Sequence, residues 1–137
     1  MKELNHLADI FRNYDTFIID LWGVMHNGVT LNPSALEAVD KLKKNSKKIV
    51  FLSNAPRPSS KVINFLVKMK MDKKYLENVM TSGEAAMHAI NQKKFGKKFY
   101  HLGPTRDTSV FEKVKDNKTD LQSCDFILCT GLFDEYK

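Results

Sequence analysis

The sequence predicts an α/β fold with a parallel sheet. Short apolar segments alternate with segments of helical periodicity along the chain, and the segments 17–19 and 49–52 contain almost exclusively apolar residues. Strands that are apolar throughout are typical of parallel sheets covered on both faces by helices. At 137 residues, with 42% of side chains hydrophobic, the chain is long enough to bury one ordinary core. Length alone therefore suggests one domain.

The first half of the chain predicts three helices and three strands. Leu4, Leu7, Ile10 and Phe11 have helical spacing, and Pro33 after Asn32 is typical of a helix start. Ser59 is a candidate cap for the third helix. The predicted elements are helix 4–11, strand 16–20, helix 33–44, strand 49–52, a helix carrying Val62, Phe65, Leu66 and Met69, and strand 79–80.

The second half continues the alternation. Thr81 and Glu84 have the spacing of a capping box, which predicts a helix over 85–92. Apolar segments predict strands at 99–102 and 126–129, with a helix near 109–114 between them.

Polar residues follow the first two strands at their carboxyl ends. Asp20 ends the first strand, and Ser53 and Asn54 follow the second. In open parallel sheets, ligands bind at this end of the strands. A carboxylate and a hydroxyl are therefore expected side by side at one sheet edge; the alternative is an Asp that only forms a turn or caps a helix.

Charge and composition limit the function classes. The net charge is +6 and the pI about 9.3, but only three of the 22 basic residues are Arg, and the basic residues are scattered. Base readout favours Arg, so nucleic-acid binding is not expected.

No apolar run approaches the roughly 20 residues that span a bilayer, and the N-terminus lacks the apolar stretch of a signal peptide. A cytoplasmic protein without membrane partners is expected, with Cys124 and Cys129 as reduced core thiols.

Five segments in order resemble the haloacid dehalogenase (HAD) superfamily. Asp20-Leu21-Trp22-Gly23-Val24 resembles motif I, and Leu52-Ser53-Asn54 resembles motif II. Motif II overlaps the first of four longer segments that are similar to the class IIA subfamily, which inserts a C2-type cap domain after motif II: SNAPRP at 53–58, TSGEAAMHAI at 81–90, YHLGPTRDTSVFE at 100–112 and DFILCTGLFDEYK at 125–137. The resemblance implies a Rossmann-like core followed by the start of an inserted α/β cap.

The resemblance also implies phosphoryl transfer from a small phosphorylated metabolite through an aspartyl-phosphate. Asp20 corresponds to the nucleophile, and Mg²⁺ would be held by Asp20 and the main-chain carbonyl of Trp22. Gly23 lets the backbone turn around the phosphate, and Ser53 would hydrogen-bond a phosphoryl oxygen. Asn54 and Arg57 are candidates for the entrance to the site; the alternatives are a turn residue and a surface cation.

Trp22 departs from the family pattern. Typical HAD phosphatases carry there an Asp that protonates the leaving oxygen and then activates water, which Trp cannot do. Loss of a general acid or base costs about 10²- to 10⁴-fold in rate. His26, in the following flap segment, is a candidate replacement because its reference pKa of about 6.5 suits proton transfer. The alternative is a partly exposed turn histidine, and Trp22 itself either stacks on a substrate ring or walls the pocket.

Motifs III and IV, a Lys and the acidic residues that complete the Mg²⁺ site, follow the cap in class IIA and have no match here. Asp134 and Glu135 look like an acidic pair, but they follow a strand that matches the cap. The resemblance therefore implies an incomplete chain, with residues 1–82 as part of the core and 83–137 as the start of the cap.

Two functions stay open. One is a Mg²⁺-dependent hydrolase, with this chain alone inactive. The other is a noncatalytic remnant, or half of a split enzyme, that binds only phosphate or a partner fragment. An exposed sheet edge would then favour a complementary C-terminal fragment or self-association.

Overall fold

The computed structural model describes residues 6–132, which form two compact units. Within that range the first unit consists of residues 6–53 and 63–79, and the second of residues 54–62 and 80–132. The segment 54–62 after the second strand thus groups with the later part of the chain. The domain division at residue 82 stays a prediction.

The elements of the first half are largely those that the sequence predicts. They are strand β1 (Thr16–Asp20), helix α1 (Pro33–Lys44), strand β2 (Lys48–Ser53), helix α2 (Ser59–Lys68) and strand β3 (Val79–Thr81). The three strands form one sheet in the order β1-β2-β3, and β1 pairs with β2 in parallel. The α/β class with parallel sheets is confirmed.

The first unit has its own apolar core. Val39 and Leu42 form the buried stripe of α1, as their spacing predicts, and Phe51 and Leu66 are fully buried. Lys41, Lys43 and Lys44 lie in the last turn of α1, where cations interact favourably with the helix dipole.

One face of this sheet is exposed, contrary to the expectation that both faces are covered. Ile18 on β1 is 68% exposed and Leu52 on β2 is 49% exposed. The burial of β1 alternates along the strand, because only one of its faces packs on core side chains in the described chain.

The second unit contains helix α3 (Ser82–Asn91), strand β4 (Phe99–Leu102) and strand β5 (Phe126–Cys129), and β4 and β5 are parallel. Ile90, Phe99, Val110, Phe111 and Leu128 form its buried core.

Several sequence predictions were wrong in detail. The first helix is two short 3₁₀ helices, Leu7–Asp9 and Phe11–Asn13, and Leu4 lies outside the described residues. The helix near 109–114 is replaced by the 3₁₀ segments Thr105–Val110 and Glu112–Asn117, because Val110 and Phe111 are adjacent core residues rather than one face of an α-helix. Ser59 is the first residue of α2, not a cap before it.

The cysteines are free, as predicted, but they are not core residues. Cys129 is exposed and Cys124 is half-buried. Across residues 6–132, no helix is long and apolar enough to cross a bilayer.

Candidate functional site

Asp20 and Ser53 end the two paired strands of the first unit. Asp20 lies opposite Leu52 in the parallel register, so Ser53 follows directly at the same edge of the sheet. The Asp20 carboxylate is exposed, and its Oδ1 accepts a hydrogen bond from the Leu21 N–H at 2.7 Å. Ser53 is only 7% exposed. The two side-chain types that the motifs bring to this edge are therefore a solvent-facing carboxylate and a buried hydroxyl.

Residues 21–32 form a loop held by hydrogen bonds within itself; we call it the first loop. Gly23 has φ +81°, a conformation that favours glycine, and its N–H donates to the His26 carbonyl at 2.8 Å. Asn27 Oδ1 accepts from the N–H groups of Val29 and Thr30, which is an Asx turn. Local residue types thus determine this loop.

His26 is a turn histidine, but it is buried rather than partly exposed. It is 7% exposed and packs edge-on against Phe65, with ring centroids 5.5 Å apart. Its Nδ1 accepts from the Gly28 N–H at 3.0 Å, so the neutral ring carries its proton on Nε2. Burial lowers the pKa of His26, and the Asp20 carboxylate partly opposes that shift.

Trp22 is 65% exposed, in contrast to its buried neighbours Leu21 and Met25. A large apolar ring directly after the strand carrying Asp20 is available for contact with a ligand. An exposed Trp22 side chain is compatible with both roles proposed for it, which are stacking on a substrate ring and forming a wall of the pocket.

Asn54 and Arg57 belong to the second unit, in residues 54–58, which we call the second loop. The start of α3 holds its backbone: the Asn54 carbonyl accepts from Ser82 Oγ at 2.9 Å, and the Arg57 carbonyl accepts from Thr81 Oγ1 at 2.6 Å. The Gly83 N–H also donates to the Ala55 carbonyl at 3.1 Å. The TSGE segment, residues 81–84, therefore holds the second loop as well as starting α3, whereas the sequence indicated only the helix start.

Thr81 satisfies half of the predicted capping box. Its Oγ1 accepts from the Glu84 N–H at 3.0 Å, as an N-cap does. The Glu84 carboxylate does not complete the box, because it accepts from the Ser59 N–H at 2.9 Å instead. Both residues thereby connect α3 to the segment that follows β2 in the chain.

The Arg57 side chain is half-exposed and lies against a buried acid. Its Nε–H points to Asp107 Oδ1 at 3.4 Å, and the Asp107 side chain is only 4% exposed. Asp107 was not predicted as a site residue, although it lies in the segment 100–112 that carries the family resemblance. No local pattern marks it, because the partner is 50 residues away in sequence.

The oxygen donors present suit Mg²⁺ in kind. Mg²⁺ prefers carboxylate and carbonyl oxygens and keeps several waters. The Asp20 carboxylate and the Trp22 main-chain carbonyl are such donors, and both stand at the carboxyl end of β1. No cluster of three or more His, Cys, Asp or Glu residues with a metal-binding arrangement occurs within residues 6–132. Asp134 and Glu135 lie outside the described residues.

The chain belongs to the haloacid dehalogenase-like hydrolase family. The sequence profile of that family matches residues 17–115, which confirms the family predicted from motifs I and II. No curated protein sequence gives a significant match.

Solved structures support the same assignment. A haloacid dehalogenase-like hydrolase from Brucella suis 1330 is 26% identical with a TM-score of 0.82, over 96% of this chain and 48% of that one. A 4-nitrophenylphosphatase from Thermotoga maritima is 27% identical with a TM-score of 0.64, over 88% and 46% of the two chains.

A glycerol phosphate phosphatase from Mycobacterium tuberculosis, solved in complex with magnesium, shares the fold. It is 21% identical with a TM-score of 0.61, over 90% of this chain and 38% of that one. The chain thus spans less than half the length of each of these structures.

Proposed function

We propose that the chain supplies the nucleophile of a Mg²⁺-dependent phosphatase of small phosphorylated metabolites, in a protein of about the length of its structural relatives. The observation that carries this proposal is the exposed Asp20 carboxylate at the tip of β1, one register position from Ser53, which ends β2 as a buried residue. Membership of the HAD-like hydrolase family and the likeness to a 4-nitrophenylphosphatase support it.

The proposed chemistry has two displacements at phosphorus. An Asp20 oxygen attacks the phosphorus, the bond to the leaving oxygen breaks, and that oxygen takes a proton. Water then attacks the phosphorus of the aspartyl-phosphate, releasing inorganic phosphate and regenerating the carboxylate. Ser53 Oγ–H and backbone N–H groups near Gly23 stabilise the charge on the phosphoryl oxygens.

Bound Mg²⁺ would neutralise charge between the carboxylate and the phosphate dianion. The residues proposed to hold it here are Asp20, through its carboxylate, and Trp22, through its main-chain carbonyl. The Lys and the acidic residues that the family resemblance implies for motifs III and IV have no match in this sequence, so we expect the 137-residue chain alone to turn over phosphate esters weakly or not at all.

His26 is the proposed proton-transfer residue, since Trp22 cannot transfer a proton. Its Nε2–H is the group that would donate, because Nδ1 already accepts from Gly28, and Nε2 would take a proton back from the water that attacks the aspartyl-phosphate. A neutral imidazole is a weak acid, so we expect turnover to depend steeply on the pKa of the leaving group. His26→Asn in the complete protein should then slow poor leaving groups more than good ones. If His26→Asn slowed substrates with poor and good leaving groups by the same factor, the role of His26 would be limited to forming the turn.

The nucleophile is tested by Asp20→Asn in the complete protein, with 4-nitrophenyl phosphate and Mg²⁺. Turnover should be lost. Asp15→Asn is the matched control, because Asp15 is a fully exposed acid just ahead of β1. Full activity in Asp20→Asn would contradict the proposal.

The second candidate, a noncatalytic chain that binds a partner fragment or a second copy of itself, is favoured by the exposed sheet face. Ile18 and Leu52 expose large apolar side chains on adjacent strands, and within residues 6–132 β1 is an edge strand of its sheet. We expect the chain alone to self-associate in sedimentation velocity, and Ile18→Lys to reduce the association. A compact monomer with a sharp cooperative melt would contradict this. A cytoplasmic location stays a prediction.

A further inference from the structure

The second unit contains a basic cleft that the proposed chemistry does not use. Its volume is about 740 Å³, within the range of small-molecule sites. Two of the three arginines of the chain, Arg57 and Arg106, line it together with two lysines. We define the basic cleft by Arg57, Lys61, Arg106, Thr108, Ser109, Phe111, Glu112 and Lys115, all of which belong to the second unit.

The charge of the cleft favours a small anion. Four cations and one carboxylate line it, and the buried Asp107 carboxylate lies against Arg57, so the net charge with Asp107 included is 4 − 2 = +2. Thr108 and Ser109 add hydroxyl donors, and Phe111 provides a buried apolar wall. Guanidinium groups with hydroxyl donors form the donor set that recognises the oxygens of a phosphate group.

Arg57 is held in place for such a role. Its Nε–H is directed to buried Asp107, while the side chain as a whole remains 47% exposed. A guanidinium has five N–H donors, so the interaction through Nε leaves the terminal nitrogens for a ligand. The backbone of Arg57 is fixed independently by Thr81 Oγ1. A pre-positioned arginine loses less conformational freedom on binding.

An adjoining cavity indicates a ligand larger than a free ion. This cavity, of about 220 Å³, shares Lys61, Ser109, Phe111 and Glu112 with the basic cleft. Met87 and Val114 add apolar surface there. An organic group attached to the phosphate would have room beside the cations.

We propose that the basic cleft binds the phosphate group of a small phosphorylated molecule through Arg57, Lys61, Arg106 and Lys115. Glu112 disfavours a long polyanion and offers an acceptor to a hydroxyl of the ligand. The proposal does not rest on turnover at Asp20, because it requires only binding by residues of the second unit.

The test is a titration of the 137-residue chain with inorganic phosphate, followed by ¹H–¹⁵N correlation spectra, without divalent metal and at constant ionic strength. Amide signals of Thr108 and Ser109 should shift and saturate at millimolar phosphate. Arg106→Gln and Lys61→Gln should each weaken binding about fivefold or more, since a charge-assisted hydrogen bond is lost. Lys97→Gln, which removes the same charge from an exposed position in the same unit, should leave binding unchanged.

Glu112→Gln provides a variant with the opposite expected sign. Removing this carboxylate should tighten phosphate binding, a result that loss of folding cannot produce. Asp20→Asn should leave the Thr108 and Ser109 shifts unchanged, which separates this site from the proposed nucleophile. Equal phosphate affinity in Arg106→Gln, Lys61→Gln and Lys97→Gln would overturn the proposal. Tighter binding of a single-stranded oligonucleotide than of phosphate, weakened by the same two variants, would also overturn it in favour of a polyanion surface.

Discussion

The first and second loops follow neighbouring strands, but their backbones are held in different ways. The first loop uses hydrogen bonds within residues 21–32, such as Gly23 N–H to the His26 carbonyl. The second loop is held by Thr81, Ser82 and Gly83, which lie more than twenty residues later. The conformation of the first loop therefore depends on local sequence, whereas that of the second loop depends on correct packing of the start of α3.

Gly83→Ala should have the largest effect. A Cβ at position 83 would lie under 3.0 Å from three backbone atoms of Arg57, so the second loop must move. We expect a loss of about 3 kcal/mol in the free energy of unfolding, as for severe overpacking. Denaturant unfolding measures this change. Without the clash, Ala is the better helix former by about 1 kcal/mol, so a stabilised variant would contradict the close contact.

Thr81→Val should cause the second-largest loss in the free energy of unfolding. Thr81 is 1% exposed, and its hydroxyl serves both the Arg57 carbonyl and the Glu84 N–H. Replacing the hydroxyl with a methyl group removes this partner from two part-buried polar groups, at a cost of about 2 kcal/mol. Thr81→Ser keeps the hydroxyl and serves as the control in the same unfolding assay. Equal stability of the valine and serine variants would show that these bonds contribute little.

Gly23→Ala tests the first loop, where the constraint is conformational. A Cβ added to Gly23 would meet no atom within 4 Å, but φ is +81°. An alanine in the left-handed region costs about 1 kcal/mol, so the loss should be smaller than at Gly83. Gly23→Asn should lose less than Gly23→Ala, because Asn tolerates this region. The reverse order would mean that the strain does not come from φ.

The smallest expected effect is a pH dependence from two buried histidines, one in each unit. Burial lowers the pKa of His26 and of His101 below 6.5. The two histidines therefore bind protons more readily in the unfolded chain than in the folded chain. For that reason the free energy of unfolding should fall as the pH drops below 6.5 towards the folded pKa values. The aspartates with lowered pKa values, Asp40, Asp72 and Asp125, titrate below 3.8, outside this window.

Unfolding free energies at about pH 7.5 and about pH 5.5, on either side of the ordinary histidine pKa, measure this effect. His26→Asn should reduce the difference between the two pH values, because Asn does not titrate and its Oδ1 can accept from the Gly28 N–H. An unchanged difference in His26→Asn would place the pH dependence on His101 or on other groups.

Much of the fold could be predicted from sequence because its signals are local. Apolar runs marked β1, β2, β4 and β5, and Pro33 marked the start of α1. The 3₁₀ segments were missed, since adjacent buried residues such as Val110 and Phe111 give no helical period. The exposed face of the sheet was also missed, because an apolar strand looks the same whether or not another element covers it.

Residue types and short spacings were enough to predict that Asp20 ends a strand, that Ser53 lies at the end of the next strand along the chain, and that Gly23 lies in a turn. These features depend on residue type and short spacing. Three features required the folded structure: Arg57 lies against buried Asp107, Arg106 and Lys115 line the same cleft as Arg57, and Gly83 packs under the second loop. All four of these partners follow Arg57 by more than twenty residues, and only long-range packing brings such distant positions together.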